Sequence, residues 1–176
     1  CTPTTTRQQL LSSGYWKTTG FNYTRESNPT RTELEDIVTS LEEAKDTVAC
    51  ANGMAAIVLC MELFESGDHI VCSEDLYGGS VRMFQTTGEK RGLTFTYVNT
   101  ADAAATEAAI KSNTKALYIE TPSNPTMQIT DLAKMKSLAD KYNLLVIVDN
   151  TFLSPYFQKP IRFGADLCYS TAEQSF

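Results

Sequence analysis

Four places in this 176-residue chain combine residue types suited to holding a small charged ligand. Asp149-Asn150-Thr151 follows the apolar run Leu144 to Val148. A carboxylate there stands at the mouth of a buried strand, where desolvation and a cationic partner would fix its charge. Taken alone, Asp149 is equally a turn or helix-cap aspartate. Glu120-Thr121-Pro122-Ser123-Asn124-Pro125-Thr126 follows Ala116 to Ile119 and presents the Asn124 amide on a stiff loop, the alternative being a plain Asn-Pro turn. Tyr77-Gly78-Gly79 follows Ile70 to Cys72 and sets a flat aromatic beside residues small enough for close ligand approach. Otherwise Tyr77 simply packs on its own helix start. Asn52-Gly53-Met54-Ala55-Ala56 opens a helix with small residues, so its free N–H groups and positive dipole end suit a phosphate. A small-residue helix start is weak evidence by itself.

The elements that must position these residues alternate along the chain. Thr30 to Glu43 reads as a helix opened by a capping box of Thr30 and Glu33, with Leu34, Ile37, Val38 and Leu41 at helical spacing. Gly53 to Phe64 is a second, very apolar helix, ended by Gly67. The runs Ile70 to Cys72, Thr94 to Val98, Ala116 to Ile119 and Leu144 to Val148 read as strands, separated by helices at Gly79 to Arg91, Ala103 to Lys111 and Asp131 to Tyr142. Strands apolar throughout, alternating with helices, predict an α/β fold: a mostly parallel sheet with helices on both faces. In such sheets ligands gather at the carboxyl ends of the strands, where all but the helix-start segment lie.

Composition narrows the function. At 42% hydrophobic the chain is long enough for one domain with a real core. A formal charge of -6 offers no basic stripe, so no nucleic-acid partner is expected. No apolar run approaches the ~18 residues of a bilayer span and no leader opens the chain, so a soluble cytoplasmic protein without a membrane partner is the expectation. Five cysteines, none in a C-x-x-C pair, fit reduced thiols. The single histidine, His69, argues against a His-rich metal site and a Ser-His-Asp triad, and beside Asp68 it is expected at the surface. No metal site is expected.

Read in order, the segments Tyr23-Thr24-Arg25-Glu26-Ser27-Asn28-Pro29-Thr30, Asn52-Gly53-Met54, Asp75-Leu76-Tyr77-Gly78-Gly79, Glu120-Thr121-Pro122-Ser123-Asn124-Pro125 and Val148-Asp149-Asn150-Thr151-Phe152 resemble the transsulfuration enzymes. This is the Cys/Met-metabolism family that depends on pyridoxal 5'-phosphate. The resemblance runs from about Phe21 to Asp166. It implies an incomplete large domain of the aspartate-aminotransferase architecture at residues 30–176, preceded by an N-terminal arm at 1–29, with the smaller C-terminal domain absent. It also implies that Gly53 and Met54 offer N–H groups to the cofactor phosphate, and that Tyr23 and Arg25 reach the phosphate of a neighbouring subunit. Tyr77 would stack on the pyridine ring, Asp149 pair with the ring nitrogen and Asn124 bond the ring hydroxyl, with Tyr77 and Asp149 as the catalytic pair. The active unit would then be a homodimer or homotetramer.

The activity so implied is carbon–sulfur lyase or transferase chemistry on cystathionine, cysteine or an O-acylhomoserine. Cystathionine γ-lyase is the member favoured, ahead of cystathionine β-lyase, cystathionine γ-synthase and O-acetylhomoserine sulfhydrylase; Gly79 stands where methionine γ-lyases typically carry cysteine. After Gly164-Ala165-Asp166 the family continues to a Ser-x-Thr-Lys segment whose lysine forms a Schiff base with the cofactor. Here Glu173 or Gln174 occupies that place, so the chain as written is expected to be inactive. Read from its third base, one set of codons for Ser170 to Phe176 spells His-Ser-Gly-Thr-Lys-Phe, which suggests a frameshift near Leu167 or Cys168. The competing explanation is a natural divergent tail. Two further classes are a non-catalytic product that pairs with full-length subunits and an unrelated nucleotide-binding domain. The latter lacks its expected G-x-G-x-x-G.

Overall fold

The computed structural model describes residue 21 and residues 23–171. Two compact units divide the chain: residues 1–40 with 44–49, and residues 41–43 with 50–176. In the first unit, most of helix α1 (Pro29–Glu42) starts one residue earlier than expected. Its cap is Asn28, whose Oδ1 accepts the N–H groups of Thr30 at 2.9 Å and Arg31 at 3.3 Å. An Asn cap with proline at the first helical position leaves no orphan donor for a Thr30 capping box. Leu34 and Ile37, expected on an apolar face, are exposed.

The second unit is an open sheet. Its elements are α2 (Gly53–Met61), β1 (His69–Ser73), α3 (Gly78–Met83), β2 (Thr94–Val98), α4 (Ala103–Ala108), β3 (Thr114–Glu120), α5 (Leu132–Tyr142), β4 (Leu145–Asp149), α6 (Ser154–Phe157) and β5 (Leu167–Tyr169). The strand order is β2-β1-β3-β4-β5, and every adjacent pair is parallel. Beyond α3 the helical path continues as a π turn over Phe84–Gly88 and a 3-10 turn over Glu89–Arg91, closed by Gly92 in the left-handed region. The stretch expected as one helix from Gly79 to Arg91 therefore changes pitch midway.

Period-two alternation distributes each strand between two cores. Ile70, Cys72, Ala116, Tyr118, Ile147 and Tyr169 pack against Ile57, Met61 and Phe64 and against Met83 and Phe84. Val71, Leu117, Ile119, Val146 and Val148 point the other way, onto Leu132, Met135, Leu138 and Ala139 of α5. Burial on both faces is why the middle residues of β1, β3 and β4, Ile70 to Cys72, Ala116 to Ile119 and Val146 to Val148, are apolar without a break. Each fully buried aliphatic side chain contributes roughly 1.5–3 kcal/mol. Helix α5 is bounded by Asp131, whose side chain accepts the Lys134 N–H, and by Asn143 at φ 54°.

Two further features depart from the sequence reading. His69 is fully buried, not a surface residue. Its Nδ1 hydrogen-bonds Thr114 Oγ1 at 2.7 Å and its Nε2 hydrogen-bonds Thr96 Oγ1 at 2.8 Å. One hydroxyl from each neighbouring strand satisfies the ring, and burial, with help from the Lys111 charge, pushes its pKa down to about 4. The fifth strand was not expected either. Leu167–Tyr169 is three residues long, too short for alternation to show, and it pairs with β4 alone.

Candidate functional site

The carboxyl ends of β1, β3, β4 and β5 surround a cavity of about 160 Å³. Glu120 is the last residue of β3 and Asp149 the last of β4, and the two are register partners. Asp149 is in turn partnered by Tyr169. Of the sequence-predicted residues, Gly53, Met54, Tyr77, Asn124 and Asp149 all line this one cavity.

At one end the start of α2 contributes Asn52, Gly53 and Met54. Asn52 caps the helix by accepting the Ala55 N–H at 2.9 Å. The N–H groups of Gly53 and Met54 have no acceptor within the helix, by the geometry of any helix start. A Cβ on Gly53 would run into the Thr171 hydroxyl, which lines the same cavity. Only glycine lets that backbone approach the β5 exit so closely.

Tyr77, half exposed, forms another wall. A Cβ on Gly79 would collide with the Tyr77 ring and crowd Met54 Sδ, so Gly79 is what allows the ring to fold back over its own helix. The Tyr77 N–H donates to Glu120 Oε2 at 2.7 Å, and the Asn124 N–H donates to Glu120 Oε1 at 3.2 Å. One buried carboxylate thus ties together the loops that carry the aromatic and the amide. Ser123 Oγ adds a second tie by donating to Asp75 Oδ2 at 2.6 Å. Burial raises the Glu120 carboxyl to about 7; the two N–H donors oppose this and the neighbouring Asp149 charge adds to it.

Asp149 is buried at the floor. Its Oδ1 accepts the Thr151 N–H at 3.0 Å and its Oδ2 accepts the Tyr169 hydroxyl at 2.7 Å. Behind it, Asn150 and Gln158 exchange amide hydrogen bonds, and Gln158 also donates to the Thr121 carbonyl at 2.9 Å. That brace joins the loop after β4 to the loop after β3.

The sequence pattern described as Cys/Met metabolism PLP-dependent enzyme matches residues 3–174. The chain belongs to that family. A cystathionine γ-lyase of Bacillus subtilis is 49% identical over 154 residues, covering 88% of this chain and 41% of the relative. A cystathionine γ-synthase of Haemophilus influenzae is 47% identical over 155 residues, covering 88% and 42%. The solved structure of cystathionine γ-lyase from Lactobacillus plantarum, complexed with L-serine, superposes with a TM-score of 0.84 at 46% identity, covering 85% of this chain and 39% of that one. The chain therefore spans about two fifths of the length of the relatives it matches.

The donor set fits the cofactor on which the family depends. One end of the cavity carries two N–H groups at a glycine cradle for a phosphate; the walls carry an aromatic face and an amide; the floor carries a carboxylate whose second lone pairs are left over for a ring nitrogen. Tyr23 and Arg25 belong to the first unit, where both are exposed and the Arg25 guanidinium lies 4.9 Å from the centre of the Tyr23 ring. Among the described residues no lysine lines the cavity. Glu173 and Gln174, at the place expected of the family lysine, lie outside the described residues.

Glu120, Thr151, Tyr169 and Thr171 also line the cavity and were missed as site residues. Glu120 had the same signal as Asp149, a carboxylate ending an apolar strand. Tyr169 and Thr171 had none, because the strand that ends at Tyr169 and delivers Thr171 just beyond it was not visible. No helix among the described residues is long and apolar enough to cross a membrane.

Proposed function

We propose that this chain carries the pyridoxal-phosphate site of a transsulfuration enzyme, acting on carbon–sulfur bonds of a sulfur amino acid such as cystathionine, cysteine or an O-acylhomoserine. The observation that supports it is the meeting of Gly53, Tyr77, Asn124 and Asp149 on one cavity at the strand ends. When bound, the cofactor supplies an electron sink for the electrons left by a breaking Cα–H bond. Gly53 and Met54 hold the phosphate through backbone N–H groups at the positive end of α2. Tyr77 covers one face of the ring and excludes water from it. Asp149 would accept a hydrogen bond from the protonated ring nitrogen and so keep its proton there, and the Asn124 amide would orient the ring hydroxyl. Tyr23 and Arg25 serve the phosphate of a neighbouring subunit, Arg25 through its planar fork, so the working assembly is a homodimer or homotetramer. The location is cytoplasmic.

Cystathionine γ-lyase is the favoured activity, supported by the names of the Bacillus and Lactobacillus relatives. Cystathionine β-lyase, cystathionine γ-synthase and O-acetylhomoserine sulfhydrylase are the alternatives. With Glu173 or Gln174 at the lysine position, these 176 residues bind the cofactor without a covalent bond and without turnover.

The test is a titration of the chain with pyridoxal phosphate, followed by borohydride reduction and peptide mapping. Saturable binding is expected, weakened roughly ten- to hundredfold by Asp149→Asn, the range for a hydrogen bond to a charged group. No stoichiometric lysine adduct is expected. Absent binding, or binding indifferent to Asp149→Asn, would overturn the site.

A further inference from the structure

Beneath Asp149 lies a hydrogen-bonded chain that no role yet described uses. The Tyr169 hydroxyl donates to Asp149 Oδ2 at 2.7 Å, and the Tyr118 hydroxyl is hydrogen-bonded to the Tyr169 hydroxyl. A carboxylate can only accept, so the Tyr169 proton is committed to Asp149 and Tyr118 must donate to Tyr169. The chain therefore runs one way, from the core of the sheet to the cavity floor. Both tyrosines are buried, and burial pushes both phenols well above their ordinary range, so they stay protonated donors.

The rings have little freedom to reorient. Phe84 meets Tyr118 edge-on at 5.0 Å, and the Tyr118 and Tyr169 ring centres lie 6.2 Å apart. Asp149 and Tyr169 are register partners on adjacent strands, which sets where the hydroxyl sits relative to the carboxylate. With the Thr151 N–H on Oδ1 and the Tyr169 hydroxyl on Oδ2, each carboxylate oxygen has one donor among the described residues, which leaves it one further lone pair.

We propose that Tyr169, backed by Tyr118, is a positioning residue that sets the orientation in which Asp149 meets the nitrogen of a pyridine-ring ligand. The proposal rests on the function above. Removing the hydroxyl lets Oδ2 turn away from the cavity and leaves the Tyr118 proton without its acceptor. The consequence falls on the ring nitrogen and not on the phosphate, which is held at the α2 start by other atoms.

The probe is pyridoxine 5'-phosphate, whose primary alcohol cannot form an imine with any lysine. Its affinity for the 176-residue chain is measured for the unaltered protein, Tyr169→Phe, Tyr118→Phe and Asp149→Asn, with inorganic phosphate as a second ligand. The pH at which the bound ring nitrogen loses its proton is followed by ultraviolet absorbance. Tyr169→Phe is expected to weaken pyridoxine phosphate roughly three- to tenfold, the loss of one hydrogen bond, and to move the ring-nitrogen midpoint to lower pH. Tyr118→Phe shifts both in the same direction by less, and keeps the test decisive if Tyr169→Phe fails to fold. Inorganic phosphate affinity stays unchanged. Unchanged affinity and midpoint in both tyrosine variants, alongside a loss in Asp149→Asn, overturns this role and leaves the site standing. An equal loss of inorganic phosphate binding also overturns it, because Tyr169 would then support the whole cavity. No binding by the unaltered chain overturns the site and this role together.

Discussion

Glu120 and Asp149 are register partners at the ends of adjacent parallel strands, two buried carboxylates on one small cavity. Their surroundings divide the work. Asp149 receives a backbone N–H and a phenol and forms the cavity floor. Glu120 spends both oxygens on backbone N–H groups of two loops, and burial raises its carboxyl to about 7.

That difference gives a pH dependence. In the unfolded chain Glu120 titrates near its ordinary 4.5, and in the folded chain near 7. Between those values the folded state holds more protons, so this group's contribution to stability is lost as pH rises from about 4.5 to about 7. Glu120→Gln should remove that slope. Across this window the thermal midpoint of the unaltered protein should fall relative to that of Glu120→Gln as pH rises; parallel curves would refute the assignment.

His69 has the opposite sign. Its folded pKa of about 4 lies below its ordinary 6.5, so the unfolded chain holds more protons between the two. Stability contributed by neutral His69 is lost as pH falls through that window. His69→Leu should abolish this acid sensitivity. It should also cost about 1–3 kcal/mol at neutral pH, because the ring's hydrogen bonds to buried Thr114 and half-buried Thr96 are lost, as measured by denaturant unfolding.

Gly53→Ala should push the new Cβ into the Thr171 hydroxyl. We expect several-fold weaker binding of inorganic phosphate, read by calorimetry. Thr171→Ala in the same chain should recover part of the loss by making room. Failure of the second change to help would show that the collision is not the cause.

Tyr77→Ala should weaken a ring ligand by about two- to tenfold, from the roughly 0.5–1.5 kcal/mol of aromatic stacking beyond buried area. Gly79→Ala should do so without touching the aromatic itself, because its Cβ displaces the Tyr77 ring. Binding of pyridoxine phosphate to both variants, followed by fluorescence, checks this. A Gly79→Ala protein that binds normally would show that the ring tolerates displacement.

Much of the fold was legible because period and punctuation are local properties. β2 matched its expected run of Thr94 to Val98, and β1, β3 and β4 differed by one or two residues at each end. Asp149, Asn124 and Tyr77 stood out because a polar or aromatic residue after an apolar run marks a strand's carboxyl end in any parallel sheet. His69 misled because burial of a polar ring depends on hydroxyls supplied by Thr96 and Thr114, far away in sequence. Its sequence neighbour Asp68 carried no information about them.

From sequence alone come the α/β class, the residue types at each strand end and the family. Those follow from short apolar runs separated by helical periodicity, turn chemistry and the residue order of the motifs, all written within short stretches of chain. Tertiary structure alone decided the strand order β2-β1-β3-β4-β5 and the pairing of Glu120 with Asp149. It alone also set the Tyr118–Tyr169–Asp149 chain, which needs a three-residue strand docked on β4. Register between parallel strands is set by how buried side chains from distant segments pack together, and a buried hydroxyl takes the partner that packing leaves within reach.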